Sequence, residues 1–246
     1  MDISKNTLPV LKIENLKKSF GDNHVLNGFS LELYKGENLV IMGKSGSGKS
    51  VMVKCLMGLM QHDSGTIEIM GNKISQLSQN ELNSLRTQVG FLFQGSALYD
   101  SMTVRENLEF PLRTHPERLQ QKEVLVEEAL ENVGLKHTVD LMPDELSGGM
   151  KRRVALARAI ILKPKIIIYD EPTTGLDPIT SKEIIQLMSD IQQKYGTSSL
   201  IITHDIDCAR VIANRIILLI DGINYVEGDF VQLSKSIDKK IQAFFK

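Results

Sequence analysis

Residues 43–50 have the sequence Gly43-Lys44-Ser45-Gly46-Ser47-Gly48-Lys49-Ser50, which matches the pattern G-x-x-x-x-G-K-[ST] at every fixed position. The apolar run Leu39-Val40-Ile41-Met42 precedes it, and Val51 opens a segment up to residue 57 whose pattern predicts a helix. A strand, a glycine-rich loop and a helix in this order form the context in which the pattern binds phosphate. The sequence therefore predicts a phosphate-binding loop over residues 43–50.

The residue types in this loop suit a nucleotide phosphate. Gly43, Gly46 and Gly48 permit backbone angles that a Cβ atom forbids, so consecutive N–H groups can point inward at an anion. The helix that follows adds the positive end of its dipole. Lys49 can reach the β- and γ-phosphates, and the hydroxyl group of Ser50 can bind Mg²⁺. The alternative is a flexible glycine-rich linker, but linkers lack the preceding apolar strand and the Lys-Ser pair.

The composition is that of an ordinary globular protein. Hydrophobic residues make up 42% of the 246 residues and charged residues 24%. The formal net charge of -1 gives no overall basic field, so we expect no nucleic-acid partner. The two cysteines, Cys55 and Cys208, match no metal-ligand or redox spacing, and we expect them to be buried in a protein of the reducing cytosol.

A transmembrane helix is not expected. The longest unbroken apolar run covers residues 216–220, whereas a bilayer-spanning helix takes roughly 20 predominantly apolar residues. Residues 1–5 also lack the apolar segment of a signal peptide. We therefore expect any membrane role to depend on a partner protein.

Two kinds of strand pattern divide the chain. Residues 29–33 and 66–70 alternate between apolar and polar side chains, which predicts an antiparallel sheet that is buried on one face. Continuous apolar strands are predicted at residues 89–93, 165–169, 199–202 and 215–220. Predicted helices lie between the later strands, so these strands should form a parallel sheet that is covered on both faces. Further helical patterns at residues 103–113, 121–133 and 151–162 predict an inserted helical block.

An acidic pair follows one of the apolar strands. Asp170 and Glu171 come directly after residues 166–169. Asp170 can hold Mg²⁺ through water, and Glu171 can orient or deprotonate an attacking water molecule, an effect worth about 10²–10⁴ in rate. The alternative is a solvated turn that leads to Pro172.

The sequence Leu146-Ser147-Gly148-Gly149-Met150 opens a predicted helix. Ser147 can cap this helix, and the same hydroxyl and N–H groups can form a second anion site for another face of a nucleotide. Gln94 and His204 follow strands, but each is a weak signal by itself. Asp177 precedes Pro178, and a helix cap alone explains this pair.

The order of these motifs resembles that of the nucleotide-binding domain of ATP-binding cassette (ABC) proteins, over about residues 11–228. The combination is more specific than the phosphate loop alone, which many nucleotide hydrolases and kinases share. The resemblance implies an α/β P-loop NTPase fold with a mostly parallel core sheet and an antiparallel β-subdomain. We predict one domain over residues 1–246, in which 1–94 and 163–246 form the ATP-binding core and 95–162 the inserted helical subdomain.

The resemblance also implies roles for individual residues. Glu171 is expected to be the general base, and His204 to hold the γ-phosphate. Gln94 is expected to contact Mg²⁺ and the attacking water, with Ser50 and Asp170 as the other Mg²⁺ ligands. The residues expected to bind ATP are Phe20, Gly43, Lys44, Ser45, Gly46, Ser47, Gly48, Lys49, Ser50, Val51, Ser147, Gly148, Gly149 and Asp177.

Some of these roles depend on a second copy of the chain. Residues 147–149 are expected to bind the γ-phosphate that the other subunit holds, and Asp177 to cross the dimer interface. Phe20 stands where the family more often has the Tyr that stacks on adenine, although packing explains it equally well. Met150 stands where the family usually has Gln, and a thioether cannot replace the hydrogen bonds of an amide.

The resemblance implies a membrane transporter's ATPase, which works as a head-to-tail dimer on a separate permease at the cytoplasmic face of the inner or plasma membrane. Residues 92–108, 110–113, 141–143 and 177–180, with Met150, resemble the ATPase of Mla/Mce-type phospholipid transport systems, which implies an MCE-domain lipid-binding partner. Lipoprotein-release and amino-acid-import ATPases share many of these features. A soluble ABC ATPase and a small-molecule phosphotransferase are further alternatives, but the latter does not explain residues 146–150.

Apolar residues follow Gln94 in an unusual density for a solvated loop. They are Ala97, Leu98, Tyr99, Met102, Val104, Phe110, Pro111 and Leu112. They can pack the helical block onto the core, or they can line a groove for the permease's cytoplasmic helix, as the family resemblance implies. We expect Leu98 or Tyr99 to face such a groove.

Overall fold

The computed structural model describes residues 8–245. Its strands are β1 (Leu11–Phe20), β2 (Asn23–Leu33), β3 (Asn38–Met42), β4 (Ser64–Ile69), β5 (Asn72–Lys73), β6 (Val89–Leu92), β7 (Ile166–Asp170), β8 (Ser198–Thr203), β9 (Arg215–Ile220) and β10 (Ile223–Gly228). Its α-helices are α1 (Lys49–Leu56), α2 (Gln79–Arg86), α3 (Val104–Glu109), α4 (Pro116–Leu119), α5 (Lys122–Asn132), α6 (Gly148–Ile160), α7 (Pro178–Tyr195), α8 (Ile206–Ile212), α9 (Phe230–Ser234) and α10 (Lys239–Phe245).

The larger sheet has the strand order β10-β9-β3-β8-β7-β6. All neighbouring pairs from β9 to β6 are parallel, and only β10 runs antiparallel, against β9. Alternate side chains of each central strand enter different cores: Val40 and Met42 pack with α6 and α7, whereas Leu39 and Ile41 pack with α1 and the smaller sheet. The predicted parallel sheet with two covered faces is therefore confirmed, and its strands are apolar throughout because both faces are buried.

The smaller sheet is antiparallel, with the order β2-β1-β4-β5. Strand β1 pairs with β2 so that Leu11 lies opposite Leu33 and Ile13 opposite Leu31, and all four side chains are buried. The alternating pattern thus predicted the half-buried sheet correctly. The sequence pattern predicts strands at residues 10–16 and 29–33. Strands β1 and β2 are longer, because their outer residues 17–20 and 23–28 are mostly polar or exposed and lack the alternation.

Helices α3 to α6 lie in the chain between β6 and β7. The helix predicted at residues 103–113 is shorter, since a 3-10 turn with Pro111 near its start follows α3 at Phe110. The sequence interpretation missed β5, α2, α4, β10, α9 and α10. Helix α2 begins with a capping box of Ser78 and Glu81 and buries only Leu85, so it lacks a clear apolar stripe.

The topology brings the predicted site residues to one edge of the larger sheet. Met42, at the end of β3, lies opposite Thr203 at the end of β8, and Asp170 of β7 lies opposite Ile202. Strand β6 ends beside β7, where Leu92 lies opposite Tyr169. Ligands of open α/β sheets bind outside the carboxyl ends of the strands, and this edge is therefore where a site is expected.

Two smaller expectations concern the membrane and the cysteines. Among residues 8–245, no helix combines the length and apolar character that crossing a bilayer requires. Cys55 and Cys208 are free and fully buried, one in each apolar core, as predicted.

Candidate functional site

The phosphate loop connects β3 to α1, in the middle of the larger sheet. Gly46 and Gly48 have φ angles of 79° and 102°, a region that favours glycine. A Cβ atom on Gly43 would lie 2.4 Å from Ser47 Oγ, and one on Gly48 would lie 2.9 Å from the carbonyl oxygen of Val25. The loop therefore has its tight anion-binding form only with these glycines in place.

Lys49 fixes the loop from inside. Its side chain is buried, and Nζ donates hydrogen bonds to the carbonyl oxygens of Gly43 at 2.6 Å and Lys44 at 3.1 Å. Burial lowers the pKa of Lys49, while the nearby carboxylates of Glu171 and Asp170 oppose that shift. An ammonium group has three donors, so one remains for a phosphate oxygen.

Asp170 and Glu171 both lie near Lys49, but they differ in burial and in backbone conformation. Burial raises the pKa of Asp170, and the charge of Glu171 adds to the rise, while Lys49 opposes it. Glu171 has a left-handed backbone with φ of 51°, and its N–H donates to the carbonyl oxygen of Ile202 at 2.8 Å. This unusual conformation turns the Glu171 side chain out of the strand direction.

Several neighbours orient the carboxylate of Glu171, whose side chain is only 10% exposed. Oε2 lies 2.9 Å from His204 Nδ1 and accepts hydrogen bonds from Thr174 Oγ1 at 3.1 Å and Thr203 Oγ1 at 3.5 Å. The two threonines were missed by the sequence interpretation. A signal was present for Thr203, because it is a polar residue that ends a fully buried strand.

The oxygen atoms at this edge fit Mg²⁺ held together with a nucleotide. Ser50 and Asp170 supply hard oxygen ligands, Gln94 follows β6 at the same edge, and the Ser50 and Gln94 side chains are exposed. Within residues 8–245, no group of three His, Cys, Asp or Glu residues could hold a metal ion on its own. Mg²⁺ commonly uses only one or two protein oxygens and completes its shell with phosphates and water, so this donor set suits it.

The motif at residues 146–150 forms a separate helix start. Ser147 is exposed and caps α6, because its Oγ accepts a hydrogen bond from the N–H of Met150 at 3.2 Å. A Cβ atom on Gly149 would lie 2.7 Å from Thr180 Cγ2, so α6 and α7 approach closely here. In the described part of the chain, no hydrogen bond joins Ser147 to the phosphate loop, and the two predicted anion sites are distinct.

Asp177 caps α7, as its position before Pro178 predicted. Its Oδ1 accepts hydrogen bonds from the N–H groups of Ile179 and Thr180, both at 3.0 Å, and its Oδ2 accepts one from Thr180 Oγ1. The Thr180 hydroxyl is the main cause of the lowered pKa of Asp177. The carboxylate is thus ionised and held in place beside the start of α6.

Phe20 lies at the end of β1, and its side chain is 49% exposed. Lys18 Nζ lies 5.4 Å from the ring centroid and forms an ion pair with Asp63 at 2.9 Å. A cavity of about 570 Å³ adjoins the phosphate loop, lined by residues 23–25 and 44–47 among others, but Phe20 is not among its lining residues. The structure therefore leaves the ring open to solvent and does not bring it against the loop.

A second cavity, of about 550 Å³, lies beside the segment that follows Gln94. We call it the Tyr99 groove; its lining includes Phe93, Ala97, Tyr99, Phe110 and Pro111. Tyr99 is 42% exposed and packs against Phe110 in a tilted arrangement, with a distance of 4.6 Å between the ring centroids and an angle of 45° between the ring planes.

Three other apolar residues of the segment, Leu98, Val104 and Leu112, turn inward. Leu98 packs against the helical core, and Val104 and Leu112 are fully buried. Of the two residues expected to face the groove, Tyr99 does and Leu98 does not, because Leu98 fills space between this segment and the helices.

Comparisons with known proteins identify relatives over most of the chain. The family model described as "ABC transporter" matches residues 26–174. The methionine import ATP-binding protein MetN of Campylobacter jejuni is 39% identical over 252 residues, which cover 96% of this chain and 75% of that protein. MetN of Brucella abortus is 38% identical, and the match covers 89% of this chain but 60% of that protein. The chain thus spans less than two thirds of the second relative.

Solved structures show the same fold. The dimeric ATP-binding cassette MJ0796, bound to ADP and Pi, has a TM-score of 0.80 and 34% identity, over 89% of this chain and 98% of that chain. CbiO1 from Clostridium perfringens, part of the ABC transporter complex cbiONQ, has a TM-score of 0.84 and 30% identity, over 96% and 95% of the two chains.

We expect Lys49→Ala to weaken ATP binding by about 30-fold or more, the equivalent of ~2 kcal/mol for the loss of a buried hydrogen-bonded charge. Equilibrium binding of a fluorescent ATP analogue measures this. Lys44→Ala is the matched control, because that side chain is exposed and its backbone N–H stays in the loop. A folded Lys49→Ala variant that binds ATP like the wild type would remove Lys49 from the site.

Proposed function

The chain belongs to the family of ABC transporter ATP-binding subunits, and on that basis we propose that it hydrolyses Mg-ATP in a head-to-tail dimer to drive a separate membrane permease. The observation that carries this proposal is the meeting of Lys49, Asp170 and the Glu171–His204 pair at one sheet edge, while Ser147 stands apart on α6. One chain thus holds most of a phosphoryl-transfer site, and a second copy has the part it lacks.

Phosphoryl transfer depends on positioning and on charge stabilisation rather than on covalent help from the protein. The loop N–H groups and Lys49 hold the β- and γ-phosphates. Ser50, Asp170 and Gln94 would hold Mg²⁺, which would supply positive charge to the phosphates. Glu171 accepts the proton of the attacking water, for which Thr174 and His204 hold its carboxylate in place.

His204 has a second nitrogen for the phosphate. Nδ1 lies 2.9 Å from the Glu171 carboxylate and can only donate to it, so Nε2 donates to the γ-phosphate when the ring carries a proton on both nitrogens. The side chain is 64% exposed, so Nε2 is accessible to a nucleotide. One imidazole ring therefore links the general base to the reacting group.

The dimer supplies the charge stabilisation that an arginine finger gives in other nucleotide hydrolases. The N-terminus of α6, which has 13 residues, presents exposed N–H groups together with the Ser147 hydroxyl. In a head-to-tail arrangement this end faces the γ-phosphate of the other copy. The dimeric state of the MJ0796 cassette supports a dimer. In the proposed head-to-tail arrangement, a monomer should bind ATP but hydrolyse it poorly.

The Tyr99 groove is the proposed contact with the permease. The groove is mainly apolar and exposes the Tyr99–Phe110 pair. Because it adjoins the residues that follow Gln94, a partner helix that buries it would also contact the segment that carries Gln94. The two relatives named as methionine import proteins, and cbiO1 as part of a transporter complex, support a permease as the partner.

Two classes of cargo are candidates. The MetN relatives favour import of an amino acid. Amino-acid import was one of the alternatives to phospholipid transport that the sequence motifs allowed. Phospholipid transport of the Mla/Mce type remains a second candidate, because Met150 and residues 92–113 carry the motifs that resemble those ATPases. The fold and the catalytic edge are common to both, so the cargo depends on the permease.

We expect Glu171→Gln to slow hydrolysis by about 10²–10⁴, the usual contribution of a general base, while it keeps the shape of the site. ATP then persists, and gel filtration in Mg-ATP should show a stable dimer. The double variant Lys49→Ala/Glu171→Gln is the control and should elute as a monomer. A Glu171→Gln protein that stays monomeric in Mg-ATP, even with the permease bound, would argue against the head-to-tail dimer.

We expect Tyr99→Glu to release the permease. ATP affinity should stay within about two-fold of wild type, because surface substitutions change the free energy of unfolding by only ~0.5 kcal/mol and Tyr99 does not line the cavity beside the phosphate loop. The measurement is permease retention when the tagged chain is purified from membranes. Val124→Glu, which alters a 66% exposed apolar residue outside the groove, is the control. Equal permease retention by both variants would place docking elsewhere.

The cargo question has a direct test in the wild-type complex. Mass spectrometry of the permease and its associated proteins should show an amino-acid importer if the MetN relatives indicate the function. A permease with an MCE-domain partner and bound phospholipid would instead support the phospholipid candidate and exclude amino-acid import.

A further inference from the structure

Two arginines of α6 hold both ends of the segment that carries Gln94. We call residues 93–97 the Gln94 segment. Arg152 Nη1 donates to the carbonyl oxygen of Phe93 at 2.7 Å. Arg158 Nη2 donates to the carbonyl oxygens of Ser96 at 3.1 Å and Ala97 at 2.8 Å. The segment is therefore fixed to the helix whose N-terminus is proposed to contact the other subunit's nucleotide.

Arg152 also reaches a third part of the site. Its Nη2 donates to the carbonyl oxygen of Thr174 at 3.3 Å, and the Thr174 hydroxyl donates to Glu171 Oε2 at 3.1 Å. Thr174 lies in the loop of residues 171–177, which runs from the general base to the Asp177 cap. One guanidinium group thus bridges α6, the Gln94 segment and the 171–177 loop.

The environment of Arg152 is unusual for a cation. The residue is 4% exposed, forms no ion pair with any carboxylate in the described part of the chain, and its Nε has no hydrogen-bond partner. A buried charge without an opposite charge is destabilising, and an apolar side chain would fill the same space at no such cost. Packing alone therefore does not explain a guanidinium group at this position.

The next residue shows what an ordinary arginine does on the same helix. Arg153 is partly exposed, pairs with Glu183 through Nη2 at 2.5 Å, and makes a long hydrogen bond of 3.4 Å to the carbonyl oxygen of Val133. Neither contact involves the Gln94 segment or the 171–177 loop. Arg153 is therefore a matched control, with the same chemistry and element but without the bridge.

We propose that Arg152 is a positioning residue for ATP hydrolysis: it holds the Gln94 segment and the 171–177 loop at a fixed distance, so that both move with α6 when nucleotide binds. A planar guanidinium group donates to these two carbonyl oxygens from two separate nitrogens, Nη1 and Nη2, whereas a lysine ammonium has a single donor nitrogen and cannot reproduce this geometry. The proposal rests on the ATPase function and on the roles proposed above for Gln94 and Asp177.

The test compares Arg152→Met, Arg152→Lys and Arg153→Met with the wild type. The thermal midpoint and the ATP affinity are measured on the full chain, and kcat and KM on the permease complex purified from membranes. Arg152→Met should keep both the ATP affinity and KM within about two-fold of wild type. Its kcat should fall roughly 10- to 100-fold, which is the effect of losing a hydrogen bond to a charged group. Arg152→Lys should recover part of that loss, and Arg153→Met should keep kcat within about two-fold of wild type.

The outcomes separate positioning from stability. A folded Arg152→Met variant with wild-type kcat would overturn the proposal, as would an equal fall in kcat and thermal midpoint in Arg152→Met and Arg153→Met. If Arg152→Met does not fold, the decision passes to Arg152→Lys, for which wild-type kcat would count against the two-carbonyl bridge. A wild-type complex without ATPase activity would be a failure of the proposed function and not of this assignment.

Discussion

The buried ammonium group of Lys49 is the interaction on which the site depends. It closes the phosphate loop by donating hydrogen bonds to the carbonyl oxygens of Gly43 and Lys44. Its charge also opposes the rise that burial causes in the pKa of Asp170. Lys49 lies close to Asp170 because β3 and β7 are parallel strands of one sheet, separated only by β8, and end at the same edge. The cation of Lys49 thus offsets both its own burial and the repulsion between the carboxylates of Asp170 and Glu171.

The sheet edge stays in place because each central strand is part of two cores. Leu39 and Ile41 pack on one side of β3 and Val40 and Met42 on the other, and β8 and β7 alternate in the same way. Close-packed cores resist small displacements, so the ends of these strands have fixed relative positions. The parts that we propose to respond to nucleotide lie outside these strands: α6, the Gln94 segment and the 171–177 loop.

The sequence predicted features that depend on short local patterns. The loop at 43–50, the acidic pair after β7 and the cap at Asp177 were placed correctly, because spacing within one strand or one turn determines them. The inward packing of Leu98 and the carbonyl contacts of Arg152 were not predictable, since they join residues up to 59 positions apart. Helix α2 was missed because its side chains are mostly polar and exposed, and the cargo is not encoded in the catalytic edge at all.

The Tyr99 groove has a consequence for how the subunit is made. Tyr99 and Phe110 are both partly exposed and pack together at the surface, and an exposed aromatic patch attracts other apolar surfaces in a crowded cell. A subunit synthesised in excess of its membrane partner would therefore be exposed to nonspecific association and to quality-control proteases. Balanced expression with the proposed permease would protect the ATPase before it ever hydrolyses a nucleotide.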